Sequence, residues 1–168
     1  RDMYRKVAIV TGANRGLGHA LTKALAEDDY KVFMVGRNKI EIDNASAKLQ
    51  EAGLDIEGFE ADVSKARHVT ALSSYVQSQF DHLDLLINNA GVIENSLFQM
   101  SSMKNIKKIF EINYFSQTIF TQFILKSIIK NKKGSIVYIS SSSAIDGNVG
   151  RNSYSSSKAA MISQAKTL

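Results

Sequence analysis

Val7 to Gly18 reads VAIVTGANRGLG, and this stretch decides the fold. Four apolar residues in a row, Val7–Val10, are too short for a buried helix and do not alternate. That pattern fits a strand covered on both faces, as in a parallel sheet. Thr11-Gly12-Ala13-Asn14-Arg15-Gly16-Leu17-Gly18 follows at once and opens a helical stretch. Glycines at such a junction allow a tight turn and let backbone approach a ligand. The exposed N–H groups of the helix start then favour an anion, and a pyrophosphate is the natural guest. A glycine-rich strand-to-helix turn on its own is often no more than a turn.

Outward from this turn the pattern repeats. Apolar runs recur at Val32–Val35, Leu83–Ile87 and Ile136–Ile139, with a weaker strand at Asp55–Glu60. Between them lie helical periodicities: Gly18–Asp28 with Leu21, Ala24 and Leu25 on one face, Ile40–Ala52 with Ile42, Ala45 and Leu49, and Ser64–Phe80 with Ala71, Leu72 and Val76. Alternating strands and helices predict an α/β fold, a doubly wound parallel sheet. Right-handed crossovers give it the order 3-2-1-4-5. A longer helix is expected over Asn105–Ile129. Its second half, IFTQFILKSII from Ile119 to Ile129, is apolar around much of its circumference, which fits burial on more than one side or contact with a partner subunit.

Composition excludes several functions. The 168 residues suffice for one domain, read as a single dinucleotide-binding unit over residues 1–168. There is no Cys, so no disulfide framework and no thiolate metal site. His19, His68 and His82 lack metal-ligand spacing, and no metal is expected. No membrane-length apolar run and no secretory leader pattern is visible, so a cytoplasmic protein is expected. The net charge of +5 favours anionic ligands. Its basic residues are spread along the chain without a nucleic-acid motif, so no nucleic-acid partner is expected.

Cofactor choice follows from charge at the end of the second strand, Val35-Gly36-Arg37-Asn38. A site for the unphosphorylated dinucleotide places a carboxylate there, to accept from the ribose 2′-OH. Arg37 stands there instead, and a guanidinium group suits a 2′-phosphate, so NADP(H) is the expected cofactor, the alternative being that Arg37 and Arg15 are plain surface charges.

Four motifs, in order, resemble the short-chain dehydrogenase/reductase family. Gly12, Gly16 and Gly18 match its TGxxxGxG turn, and Asn88-Asn89-Ala90-Gly91 matches its NNAG. Asn113 matches its active-site Asn in the long helix, and Tyr154-Ser155-Ser156-Ser157-Lys158 matches its YxxxK. Ser141 stands 13 positions before Tyr154, at the family's spacing for its catalytic Ser, and only that spacing separates it from Ser140, Ser142 and Ser143. The resemblance covers the whole chain. It implies a catalytic set of Asn113, Ser141, Tyr154 and Lys158. It also implies cofactor contacts from Gly12, Asn14, Arg15, Gly16, Leu17, Gly18, Arg37, Asp62, Val63, Asn89, Ala90, Gly91, Tyr154 and Lys158. Asp62 and Val63 resemble the pair beside the adenine ring, although Asp62 equally suits a capping role ahead of Ser64.

The chemistry explains the residue types. Hydride delivery to a carbonyl leaves an alkoxide that needs a proton. A tyrosine ordinarily titrates near ~10, so work near neutrality requires about 4 kcal/mol of help. One cation at ~4 Å in an effective dielectric of ~20 supplies about that much. Lys158, four residues after Tyr154 on one helix face, is suited to the task. The resemblance adds a lysine contact to the nicotinamide ribose, a substrate hydrogen bond from Ser141, and a water held by Asn113 for proton relay.

The family extends further, with two more strands and a substrate loop. The last strands are therefore expected to be missing here, leaving the fifth strand as an open edge. The nearest general resemblance is to 3-oxoacyl-acyl-carrier-protein reductases. A small-molecule carbonyl or acyl-carrier-linked substrate is expected, with Lys132 and Lys133 placed to meet an acidic carrier. A homodimer or homotetramer is expected through Asn105–Ile129 and Tyr154–Leu168. The alternative function is an NADP(H)-binding sensor or scaffold without turnover.

Overall fold

The computed structural model describes residues 4–131 and 133–168, and Lys132 lies outside the described residues. Five parallel strands form one sheet: β1 (Lys6–Thr11), β2 (Tyr30–Gly36), β3 (Ile56–Glu60), β4 (Leu85–Asn88) and β5 (Ser135–Tyr138). Their order is β3-β2-β1-β4-β5, the doubly wound order expected from the sequence. Ala8 pairs with Val32, Ile9 with Leu86, Met34 with Gly58, and Ile87 with Val137.

Strand geometry sends successive side chains to opposite faces, and here both faces are covered. Val7, Ile9, Phe33, Val35 and Leu86 meet Leu72 and Val76 of α3 (Ala66–Gln79) and Phe120 and Ile124 of α5 (Ser116–Asn131). Ala8, Val10, Val32, Met34 and Ile87 meet Ala26 of α1 (Gly16–Glu27) and Ile42, Ala45 and Leu49 of α2 (Lys39–Glu51). This two-sided burial is why the strands read as unbroken apolar runs.

The sequence expectation departs from the structure in three places. Ala24 and Ala71 are exposed, and Thr22 and Ser73 are buried in their helices instead. The Thr22 hydroxyl donates to Gly18 O at 2.9 Å, so the polar atom costs little inside. β5 is half-covered rather than buried on both faces: Ile136 packs on the core while Val137 is exposed, because the sheet ends at this strand. The long helix is not uniform. α4 (Met103–Phe110) passes through a π-helical turn at Glu111–Phe115 before continuing as α5. Such a turn inserts one residue into the hydrogen-bond ladder and often marks a functional position.

A short α6 (Ser143–Asp146) leads into α7 (Asn152–Ala165), which packs against α4, the π turn and β5. No described helix is long and apolar enough to cross a membrane, and no metal-sized cluster of His, Asp or Glu gathers among the described residues.

Candidate active site

The first wall of the site is the glycine turn, held by its neighbour strand. Thr11 Oγ1 accepts from Asn89 N and Ala90 N, both at 3.0 Å. Asn89 Nδ2 donates back to Thr11 O at 3.2 Å and Gly12 O at 3.1 Å. The turn after β1 and the turn after β4 are thus fastened together. Gly12 needs its missing side chain twice over: its φ is +61°, and a Cβ would sit 2.9 Å from Ala90 Cα. At Gly18 a Cβ would sit 2.2 Å from Gly12 O, so only glycine lets α1 start this close to the turn.

These turns open onto a cleft of about 1000 Å³ at the carboxyl ends of the strands. That is where open α/β sheets bind ligands. Gly12, Asn14, Arg15, Gly16, Arg37, Asp62, Val63, Asn89, Ala90 and Gly91 all line it. Leu17, Gly18, Tyr154 and Lys158 do not: Leu17 is exposed, Gly18 is packed beneath the turn, and Tyr154 and Lys158 stand on α7, with Lys158 Nζ near Gly91. Asn38, Ile40, Glu41, Ile112 and Ser116 also line the cleft and carry no motif in the sequence.

The donor set suits a nicotinamide dinucleotide. The first turn of α1 has no side-chain cap and no acidic residue, so its N–H groups are left for an anion. Arg15 and Arg37 are exposed at the far end. Burial works against the Asp62 carboxylate, but the N–H and hydroxyl of Ser64, at 3.0 and 2.6 Å, together with Lys65 and Arg37, outweigh it and hold the group below the usual aspartate range. Asp62 thus closes the turn before α3 on Ser64 and does not cap the helix, whose N-cap Lys65 makes no side-chain cap bond. His68 Nδ1 in turn accepts from Asp62 N at 3.0 Å.

At the other end three elements converge. Asn113, in the π turn, is fully buried, and its amide is fully engaged: Oδ1 accepts from Val92 N at 2.8 Å, while Nδ2 donates to Val92 O at 2.9 Å and Ser157 Oγ at 3.2 Å. Lys158 is only 3% exposed, and its Nζ donates to Ile139 O at 2.8 Å. Gly91 separates the two, and a Cβ there would lie 3.3 Å from both Asn113 Oδ1 and Lys158 Nζ. The Tyr154 ring lies on the same face of α7, with Nζ 6.0 Å from its centroid. Burial pulls the Lys158 ammonium down from 10.5 to about 8. Among the described residues no carboxylate pairs with it.

Ser141 follows β5, half-buried, with Oγ 2.9 Å from Ser143 Oγ. Ser143, one of the rivals that spacing had set aside, is a buried neighbour of Ser141 at the start of α6. Ser140 is occupied elsewhere, donating to Lys158 O at 2.9 Å. Gln117 belongs to no motif of the sequence. It is fully buried in α5 and donates to Ala90 O, with its own Oε1 left without a partner. Only the fold brings a mid-helix Gln onto the NNAG turn. A second cavity of about 560 Å³ lies beyond, lined by Leu97, Phe98, Ser143, Ile145, Val149 and Ser155 among others.

Sheet order, glycine turn and cleft together define a nucleotide-binding α/β domain of the doubly wound class. The family model for short chain dehydrogenase matches residues 6–168, and the chain belongs to that family. It is 32% identical to carbonyl reductase family member 4 of Xenopus laevis, over 97% of this chain and 67% of that protein. It is 31% identical to the 3-oxoacyl-[acyl-carrier-protein] reductase FabG of Aquifex aeolicus, over 97% of this chain and 66% of that protein. The fold superposes on a crystal structure of an actinorhodin polyketide ketoreductase variant with NADPH at a TM-score of 0.92 and 27% identity, covering 96% of this chain and 63% of the other. The chain thus spans about two thirds of the length of its curated relatives.

Proposed function

We propose that the chain is the core of an NADP(H)-dependent oxidoreductase that transfers a hydride between the nicotinamide and a carbonyl or alcohol. One observation carries this reading: Asn113 and Lys158 meet at Gly91, which itself lines the glycine-turn cleft, and Lys158 Nζ lies 6.0 Å from the Tyr154 ring centroid. A sensor or scaffold has no need of a phenol and an unpaired buried cation at that place.

The bound dinucleotide would supply or accept the hydride. The chain's own groups do the rest. The N–H groups at the start of α1 hold the pyrophosphate, Arg15 and Arg37 face the 2′-phosphate, and Asp62 and Val63 border the adenine. Lys158 Nζ, with donors beyond its bond to Ile139 O, binds ribose hydroxyls and stabilises negative charge on Tyr154. Tyr154 gives its proton to the nascent alkoxide, and Ser141 donates to the same oxygen. The Asn113 amide, committed to Val92 and Ser157, holds the loop after the NNAG turn against α7. The substrate's remaining bulk would lie in the second cavity, whose apolar lining suits an acyl chain. A carbonyl substrate, free or carrier-linked, follows from that lining and from the likeness to the named reductases. Lys133, exposed beside β5, is available to an acidic carrier.

The test is NADPH consumption with a panel of ketones and β-ketoacyl thioesters. Arg37→Asp should raise KM for NADPH at least about tenfold more than KM for NADH. Equal effects on both would reject the cofactor assignment, and binding without turnover on any carbonyl would favour the sensor.

We also propose self-association. Phe115, Ile119 and Phe123 are 48%, 42% and 40% exposed and lie four residues apart, one stripe along the π turn and α5. Light scattering at micromolar concentration should give at least a dimer's mass; a monomer would reject the proposal.

A further inference from the structure

One carboxylate joins the glycine turn to the start of α2 across the cleft. Glu41 Oε2 accepts from Asn14 Nδ2 at 2.5 Å, and its Oε1 lies 3.5 Å from Asn38 Nδ2. The Glu41 N–H donates to Asn38 Oδ1 at 3.1 Å, so the residue also completes the cap of α2. A capping acid needs no tie to another element, yet Asn14 belongs to the glycine turn. Glu41 therefore shares the cleft wall with Arg15, Arg37 and Lys39. Its charge is not cancelled there. Lys39 is taken up by Asp43 at 2.7 Å, the field of Arg37 reaches Asp62, and Glu41 has no ion-pair partner among the described residues.

A carboxylate at this end repels a phosphomonoester and accepts from a ribose hydroxyl, the opposite preference to that of two guanidinium groups. We propose that Glu41 is a specificity-determining residue. It restrains binding of a 2′-phosphate and favours the unphosphorylated ribose, making the cleft less selective for NADP(H) than Arg15 and Arg37 alone would. This rests on the cofactor reading above.

Calorimetric titration with adenosine 2′,5′-bisphosphate and with 5′-AMP isolates this end of the cleft. Glu41→Gln keeps a capping side chain and an acceptor for Asn14 while removing the charge. Removing one solvent-exposed unit charge beside a phosphate should tighten the bisphosphate about five- to tenfold at low salt, less at high salt, with 5′-AMP unchanged or weaker. Glu41→Lys should extend the gain. A bisphosphate affinity that is unchanged or lower in Glu41→Gln would overturn the proposal. Arg37→Ala, titrated in parallel, separates the two levels. If it weakens the bisphosphate while Glu41→Gln has no effect, the cofactor reading stands and the role of Glu41 falls. If neither substitution moves the bisphosphate, both fall.

Discussion

Tyr154→Phe is expected to lower kcat for carbonyl reduction by roughly 10²–10⁴, the usual weight of a positioned general acid. NADPH affinity should stay within about twofold, because the proton is needed only in the transition state. The substitution removes one hydroxyl from a half-buried ring and leaves the ring's packing on α7 intact, so folding should be unaffected. Steady-state kinetics beside a fluorescence titration of NADPH checks the split. A fall in binding equal to the fall in kcat/KM would mean the phenol serves only to seat the cofactor. Unchanged turnover would remove it from the chemistry.

Lys158→Met is expected to move stability and activity in opposite directions. The ammonium is nearly sealed from water, and burial takes it from 10.5 to about 8. At ~1.4 kcal/mol per pH unit, holding the charged form inside costs roughly 3 kcal/mol at neutrality. Met has similar length and no charge, so that cost disappears. Ile139 O loses its partner, which returns about 1–3 kcal/mol of it. The net gain is near ~1 kcal/mol, a rise in Tm of about 2–4 °C for a domain of this size. Turnover should meanwhile fall by roughly 10²–10³, since the charge facing Tyr154 is gone.

The same burial sets a pH dependence in the unsubstituted protein. Below pH about 8 Lys158 is protonated in the folded and unfolded chain alike, and the penalty is fully present. Between about 8 and 10.5 the folded protein releases the proton while the unfolded chain keeps it, so this group's contribution makes the protein more stable as pH rises. The reduction rate should fall over the same interval as the cation is lost. Melting curves across that range, for the protein and for Lys158→Met, check the stability, and kcat against pH checks the rate. A flat difference between them would mean the ammonium is not buried in solution.

The fold was legible because its signals were local. Val7–Val10 and Val32–Val35 fit strands covered on both sides, and the glycine turn points to the crevice at the end of β1. Counting apolar residues alone puts Ala24 and Ala71 on the core faces, where Thr22 and Ser73 stand instead. A hydroxyl that can return its hydrogen bond to the backbone is as good a core residue as a methyl, and periodicity does not register it. β5 reads as buried on both faces because a composition of Ile, Val and Tyr does not say which face the helices leave uncovered.

The site divides in the same way. Tyr154 and Lys158, which share a helix, are legible through the resemblance to the family's YxxxK motif, and Ser141 through the family's spacing from Tyr154. Contacts between distant elements carried no signal. Glu41 reaching Asn14 and Gln117 reaching Ala90 O each join segments whose approach is decided by the sheet order. The π turn at Glu111–Phe115 is equally silent in sequence. It seats Asn113 against Val92 and Ser157, contacts that a regular helix would have directed elsewhere.

The most direct test is a crystal structure of the protein with NADP⁺. It should show the pyrophosphate on the N–H groups at the start of α1, the 2′-phosphate beside Arg37, and the nicotinamide ribose within hydrogen-bonding distance of Lys158 Nζ, with the Tyr154 hydroxyl facing the ring. A dinucleotide bound in the reverse direction, or seated so that Lys158 touches neither ribose nor phenol, would contradict the account.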